Sequence, residues 1–151
     1  MICYVDGACS GNGTSNSQGG FGVVVLDDNG NLIKTYSHYE NNTTNNRQEM
    51  KAILWAVINY GKKGPLTIYS DSSYAINSFS KWIFNWKNNN WLKQDNKQPE
   101  NLDLIQEYYH LVYELNYCAE LIKIPGHSGI TWNELADKLA TGKMKVNQKI
   151  D

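Results

Sequence analysis

The stretch ICYVDGACSG (residues 2–11) alternates apolar and small residues around β-branched centres, as a half-buried or buried strand does, yet it places a carboxylate, Asp6, in the middle. FGVVVLDD (21–28) reads as a second strand, DDNGN (27–31) as an Asn-Gly hairpin turn, and LIKTYSHYE (32–40) as the returning strand. These three elements form an antiparallel meander with Asp6 on its first strand. Further along, Met50, Ile53, Leu54, Val57 and Ile58 follow the i, i+3, i+4, i+7, i+8 template of an amphipathic helix. Thr and Asn residues stand in front of it as caps, and Gly61, Gly64 and Pro65 stop it. LTIYS (66–70) is a short buried strand ending at Asp71, and a helix begins near DSSYAINSFS (71–80). NLDLIQEYYHLVYELNY (101–117) is a further amphipathic helix, AELIKIP (119–125) a strand, and NELADKLATG (133–142) a last helix closed by Gly142. Helix, strand and helix following a meander indicate an α/β layered domain.

A chain of 151 residues suits one domain with one core. Its 41% hydrophobic and 19% charged residues are ordinary globular values, which excludes a disordered chain or a coiled coil. No apolar run reaches the roughly 18 residues of a membrane span, and no signal-peptide pattern opens the chain, so a cytoplasmic protein is expected. Cys3, Cys9 and Cys118 are odd in number and form no CxxC pair, which fits free thiols rather than a disulfide framework or a zinc ribbon. The formal net charge is −1, but residues 81–98 hold four lysines against one aspartate, interleaved with Trp82, Phe84, Trp86 and Trp91. That local excess suits a phosphate-rich partner.

Four acids sit where surface charge does not belong. Asp6 interrupts a strand, Glu49 opens the apolar helix, Asp71 ends a buried strand, and Asp137 lies among Leu135, Ala136, Leu139 and Ala140. Sites in α/β sheets gather at the carboxyl ends of parallel strands and the starts of the helices that follow. Asp6 and Asp71 become neighbours if their strands pair, and Glu49 and Asp137 reach the same point from flanking helices. Any one of these acids alone also fits a helix cap or half of a salt bridge; the four together, each departing from its own apolar pattern, do not. Ionised carboxylates share a small volume when a cation neutralises them, and an all-oxygen donor set suits Mg²⁺ rather than zinc. The chemistry such a site supports is two-metal phosphoryl transfer.

With these residues in place, the chain resembles ribonuclease H type 1. The resemblance rests on YVDGACSGNG (4–13), TTNNRQEMKAI (43–53), IYSDSSYAI (68–76), WIFNWKNNNW (82–91) and PGHSGITWNELADKLA (125–140), five segments in order between about residue 2 and residue 142. It implies an RNase H-like fold, a five-stranded mixed sheet of order 3-2-1-4-5 flanked by helices, with residues 1–142 as the catalytic domain, 81–98 as a basic protrusion and 143–151 as a polar, frayed tail. It implies hydrolysis of the RNA strand of RNA–DNA hybrids by two Mg²⁺ ions, with Mn²⁺ as a substitute, leaving 5′-phosphate and 3′-hydroxyl ends. Asp6, Glu49, Asp71 and Asp137 correspond to the metal-binding acids, with Asp6 shared by both ions, Asp137 on the nucleophile side and Glu49 and Asp71 on the leaving-group side.

The same resemblance assigns His127 and Glu134 to proton movement or product release. Read by itself, His127 is a surface residue of a Gly-rich loop. Asn12, Asn45 and Asn46 correspond to readers of minor-groove edges and 2′-hydroxyls, Thr44 to part of a DNA-phosphate pocket with Arg47 beside it, and Ser73 to a position where relatives often carry a longer polar side chain. The segment TTNNR also reads as a helix N-cap, and the two roles are compatible. Lys81, Trp82, Lys87 and Trp91 belong to the protrusion, which here is only modestly basic and rich in asparagine. No room precedes Asp6 for a separate hybrid-binding domain, and the expected state is a monomer without an obligate protein partner. An RNase H-fold nuclease acting on another nucleic acid, as resolvases and integrases do, keeps the fold and changes the substrate. A non-catalytic hybrid-binding module is expected to lack one of the acids, and a nucleotide-clasping ATPase domain has no Walker A pattern here to support it.

Overall fold

The computed structural model describes residues 1–12, 14–126 and 129–142. Five strands, β1 (Ile2–Ser10), β2 (Gln18–Leu26), β3 (Leu32–Asn41), β4 (Thr67–Ser70) and β5 (Glu120–Lys123), form one sheet of order β3-β2-β1-β4-β5. β1, β2 and β3 pair antiparallel, with Asp6 opposite Gly22; β4 pairs parallel to β1, with Cys3 opposite Ile68, and β5 parallel to β4. The fold class and strand order expected from the sequence are those observed. The hairpin turn closes through Asp27, whose backbone N–H donates to Asn31 O at 2.9 Å, and Gly30 takes the left-handed conformation that the Asn-Gly pair supplies (φ 83°).

Both faces of the sheet are covered, so β1 is apolar on alternate residues in both directions. Cys3 and Val5 enter the larger core with Val23, Val25 and Ile68, while Ile2 and Tyr4 pack on the other side with Val24, Leu26, Leu135 and Leu139. Burial pushes the Cys3 thiol up to about 12, leaving it a hydrophobe, and all three cysteines are free.

Helix α1 (Asn45–Tyr60) lies on the first face. Thr44 caps it, its hydroxyl accepting from Arg47 N at 3.1 Å, and Gly61 ends it by donating to Val57 O at 2.8 Å. Met50, Ile53, Leu54 and Val57 are buried, but Ile58 is 50% exposed, against the expectation that it completes the apolar stripe. At about 100° per residue Ile58 falls roughly 80° from Met50, on the flank of the stripe rather than in it.

Three helical pieces follow β4 without a break: α2 (Ser73–Asn77), a π-helical turn (Ser78–Trp82) and α3 (Ile83–Asn88). Helix α4 (Leu102–Tyr108) likewise widens into a π-helical segment (Tyr109–Glu114), and left-handed Asn116 (φ 60°) ends the run earlier than the 101–117 read from the sequence. The two widened segments face each other. Phe79 stacks on Tyr108 with ring centroids 4.2 Å apart, and the Tyr113 hydroxyl donates to Phe79 O at 2.8 Å. Tyr113→Phe, which removes only that partly buried bond, is expected to cost about 1 kcal/mol in urea unfolding without changing the m-value. Helix α5 (Thr131–Thr141) covers the second face, starting two residues earlier than its apolar pattern suggested and ending at left-handed Gly142 (φ 80°). No helix among the described residues is long and apolar enough to cross a membrane.

Candidate active site

The four acids come from four elements whose positions are fixed by backbone contacts. Asp6 lies on β1, 6% exposed, and its partner across the ladder is Gly22. A Cβ at Gly22 would stand 2.5 Å from both Ala136 O and Leu139 Cβ, so α5 rests directly on the β2 backbone. That close seating puts Asp137, half-buried on α5, near enough to Asp6 to raise the Asp6 pKa, though Asp137 is not one of the acids whose oxygens converge most closely. Asp71 follows the last residue of β4, which runs parallel to β1.

Glu49 stands in the second turn of α1, 7% exposed. Its Oε1 accepts from Gly7 N at 2.8 Å. A Cβ on Gly7 would lie 2.3 Å from Glu49 N and 2.6 Å from Gln48 C, so only glycine lets α1 approach β1 this closely. One carboxylate oxygen from each of Asp6, Glu49 and Asp71 lies within 4.8 Å of the other two. Among the described residues no cysteine or histidine joins this group.

Burial is the main reason the Asp6 carboxyl is held far above the ordinary carboxylate range, and Glu49, Asp71 and Asp137 each push it further. Glu49 is also raised, chiefly by burial, with hydrogen bonding from Asp6 and Gly7 opposing the rise and the charge of Asp71 adding to it. Its Oε2 is buried with no hydrogen-bond partner. A buried carboxylate oxygen without a donor, on a residue that belongs to this group of acids, fits a hard divalent cation, which supplies the missing positive partner.

The sign of the pH effect follows. An acid whose folded pKa is raised contributes most stability below its unfolded pKa, near 4, and loses it as pH rises through the folded value. The metal-free protein is therefore penalised by Asp6 and Glu49 at neutral and alkaline pH, and Mg²⁺ relieves that penalty. Differential scanning fluorimetry is expected to show Mg²⁺ raising the melting temperature by roughly 2–5 °C at pH 8 and by much less at pH 5. An equal shift at both values would contradict this picture of the cluster.

Asn12, Thr44, Asn45 and Asn46 gather at the N-terminus of α1. Asn12 and the two following asparagines are exposed, and Asn12 Oδ1 accepts from Asn45 N at 2.8 Å, tying the loop after β1 to the helix start. Arg47 is committed elsewhere. Its guanidinium donates to both carboxylate oxygens of Asp103, at 3.0 and 2.7 Å, and to Asn101 Oδ1 at 3.3 Å, and it holds the Asp103 carboxyl below the usual range. Nothing local in the sequence signals this α1–α4 clamp, because its partners are 56 residues apart.

Ser73 is exposed as the first residue of α2, two positions after Asp71, and Glu134 is exposed in the first turn of α5. Lys81 is exposed; Trp82 is half-buried against Tyr74, with centroids 6.1 Å apart. Lys87 and Trp91 turn toward α4's continuation, the ammonium 5.8 Å from the Tyr109 ring and the indole edge-on to it at 5.4 Å. Their aromatic pairing is therefore partly structural. His127 and the 143–151 tail lie outside the described residues. The loop reaching Gly126 passes Asp71, since a Cβ there would stand 3.1 Å from Asp71 Oδ2.

Comparison with known proteins converges on one group. The family model described as RNase H matches residues 1–145. The chain is 40% identical to the Ribonuclease H of Thermoanaerobacter sp. (strain X514) over 147 residues, covering 97% of this chain and 90% of that protein. It is 41% identical to the Ribonuclease H of Francisella philomiragia subsp. philomiragia over 140 residues, 93% of this chain and 88% of the relative. Among solved structures, a type 1 RNase H with the type 2 active-site motif superposes with a TM-score of 0.73 at 26% identity, covering 93% of this chain and 70% of its own. An RNase H1 solved in complex with an RNA/DNA hybrid gives a TM-score of 0.67 at 24% identity, covering 93% of this chain and 94% of that one.

Proposed function

This chain belongs to the RNase H family of nucleases, and on that premise we propose that it hydrolyses the RNA strand of RNA–DNA hybrids with two bound Mg²⁺ ions, leaving 5′-phosphate and 3′-hydroxyl ends. The observation that carries the reading is the convergence of Asp6, Glu49 and Asp71 from β1, α1 and the end of β4, one Glu49 oxygen being buried without a hydrogen-bond partner. Asp6, Glu49, Asp71 and Asp137 are the residues that would hold the ions. When bound, such ions generate a hydroxide nucleophile and stabilise the leaving oxygen of an in-line displacement.

The protein's own part is to hold four carboxylates in place before substrate arrives. Gly7 fixes Glu49 through its N–H, the parallel pairing of β4 with β1 fixes Asp71, and the seating of α5 on Gly22 fixes Asp137. Such preorganisation spares the reaction the cost of gathering like charges. Glu134, exposed three residues before Asp137 on α5, is assigned with His127 to proton movement and product release, and an exposed carboxylate suits that task. The asparagines around Thr44 carry amides able to read 2′-hydroxyls, and Thr44 at the positive end of the α1 dipole suits a DNA phosphate. Residues 1–142 are the catalytic domain in this reading and 81–98 its protrusion against the DNA strand. All four acids come from one chain, so the reading needs no second copy and has the protein act as a monomer in the cytoplasm.

A similar RNase H1 has been solved with an RNA/DNA hybrid, which favours the hybrid over the DNA junctions of resolvase-like relatives of the fold. A panel of end-labelled hybrid, RNA duplex and DNA duplex of one sequence discriminates the two. Cleavage confined to the RNA strand of the hybrid is expected. Equal cleavage of hybrid and DNA duplex would overturn the substrate assignment while leaving the metal site standing.

A further inference from the structure

Gln48, the residue before Glu49 on α1, is fully buried. A Cβ on Gly7 would stand 2.9 Å from Gln48 Cβ and one on Gly19 3.2 Å from its Cγ, so the side chain lies against the β1 and β2 backbones. Its Nε2 donates to Thr43 Oγ1 at 2.8 Å and to Glu40 Oε1 at 2.6 Å, and Lys51 Nζ pairs with the same carboxylate oxygen. Burial would raise the Glu40 carboxyl, but the bonds from Lys51 and Gln48 outweigh it and hold the group below the usual carboxylate range. A carboxylate only accepts, so the N–H₂ end of the amide must face Glu40. That orientation leaves Gln48 Oε1 buried without a partner among the described residues. A methionine would fill much the same space with no orphaned acceptor, so the amide is unfavourable for packing, and its use lies in its two N–H bonds.

Thr43 is what one of those bonds secures. It is 4% exposed, and each of its polar groups is engaged inside the protein. Its N–H donates to Ser17 Oγ at 2.8 Å, its carbonyl accepts from Cys9 Sγ at 3.4 Å, and its hydroxyl accepts from Gln48. Thr44 follows as the cap of α1, kept in place by its own bond from Arg47 N, and then come Asn45 and Asn46, both exposed. Two neighbouring residues of α1 thus serve two places. Glu49 takes the Gly7 N–H and joins the acid cluster, while Gln48 ties the segment in front of the exposed asparagines to β3.

We propose that Gln48 is a positioning residue for hybrid recognition: through its bonds to Thr43 and Glu40 it fixes Asn45 and Asn46 in the arrangement that meets the RNA strand, and it takes no part in holding the metal ions. The assignment rests on the hybrid substrate and the asparagine roles proposed above. A segment ordered in advance binds without the entropy loss of ordering it on contact, so the residue acts on binding and not on the cleavage step.

The test is steady-state cleavage of a labelled hybrid at saturating Mg²⁺, with an unlabelled DNA duplex of the same sequence as competitor. Gln48→Met is expected to raise KM about tenfold, with kcat, the inhibition constant of the DNA duplex and the Mg²⁺ concentration for half-maximal rate all within twofold of the parent. Its thermal melt is expected to move little, because the orphaned acceptor leaves with the lost bonds. Thr43→Val removes the acceptor and keeps the shape; it is expected to raise KM by a similar factor and to add nothing in the double variant, since both break one contact. Thr43→Val alone decides the matter if Gln48→Met melts early. Variants that keep the parent KM, KM effects that add in the double variant, or a fall in kcat with a raised Mg²⁺ requirement each overturn the assignment. A parent chain that cleaves hybrid and DNA duplex alike overturns the substrate reading and this assignment together, whereas a selective parent with unaffected variants overturns this assignment alone.

Discussion

Asp6→Asn is expected to lower hybrid cleavage about 10³-fold or more while raising the melting temperature of the metal-free protein. Both effects have one cause. The carboxylate is nearly inaccessible, 6% exposed, and is crowded by Glu49, Asp71 and Asp137, so its charge destabilises the fold unless a cation sits among the four. Asparagine keeps the shape, removes the charge and adds a donor beside the Glu49 carboxylate. The gain in stability is about 1–2 kcal/mol at pH 8 and shrinks toward pH 4, where Asp6 becomes protonated in the unfolded chain as well. Steady-state cleavage and thermal melts on the same preparation check both halves. Near-normal turnover at saturating Mg²⁺ would remove Asp6 from the mechanism, and a lower melting temperature would mean that its charge is stabilised by the protein itself.

The second large effect is predicted at a residue with no functional group. Gly7→Ala is expected to destabilise the protein by about 3 kcal/mol and to suppress cleavage by at least two orders of magnitude. The added methyl would stand 2.3 Å from Glu49 N and 2.6 Å from Gln48 C, both main-chain atoms of α1, so no side-chain rotation relieves the clash. Helix α1 must lift from β1, breaking the 2.8 Å bond from Gly7 N to Glu49 Oε1 and carrying that carboxylate away from Asp6. Urea unfolding and a cleavage assay measure the two losses. Unchanged values of both would show that α1 does not rest on Gly7.

The acids were legible in the sequence because each breaks a local rule: a charge in a strand of apolar neighbours or on the inner side of a helix costs free energy that only a function repays. Strand order was legible through the same residues, since Asp6 and Asp71 meet only if β4 pairs beside β1. What brings the acids together was not. Gly7 and Gly22 look like ordinary strand glycines, and their meaning, the direct seating of α1 and α5 on backbone, appears only when the facing helix is known. The resemblance places Arg47 beside a phosphate pocket, and nothing local in the sequence ties it to Asp103. The aromatic residues of the modestly basic protrusion were legible, but their packing, Trp82 on Tyr74 and Trp91 edge-on to Tyr109, was not. Periodicity placed Ile58 in the core by one step too many around the helix.

The central claim is that the four acids form a divalent-metal centre that cuts RNA paired to DNA. It is tested most directly by incubating an RNA-labelled hybrid with the purified protein in Mg²⁺, in chelator, and in chelator followed by excess Mg²⁺, and identifying the ends produced. Internal cuts bearing 5′-phosphate and 3′-hydroxyl, abolished by chelator and restored by Mg²⁺, are predicted. Cleavage that persists in chelator, or that leaves cyclic or 3′-phosphate ends from attack by the RNA's own 2′-hydroxyl, would contradict it.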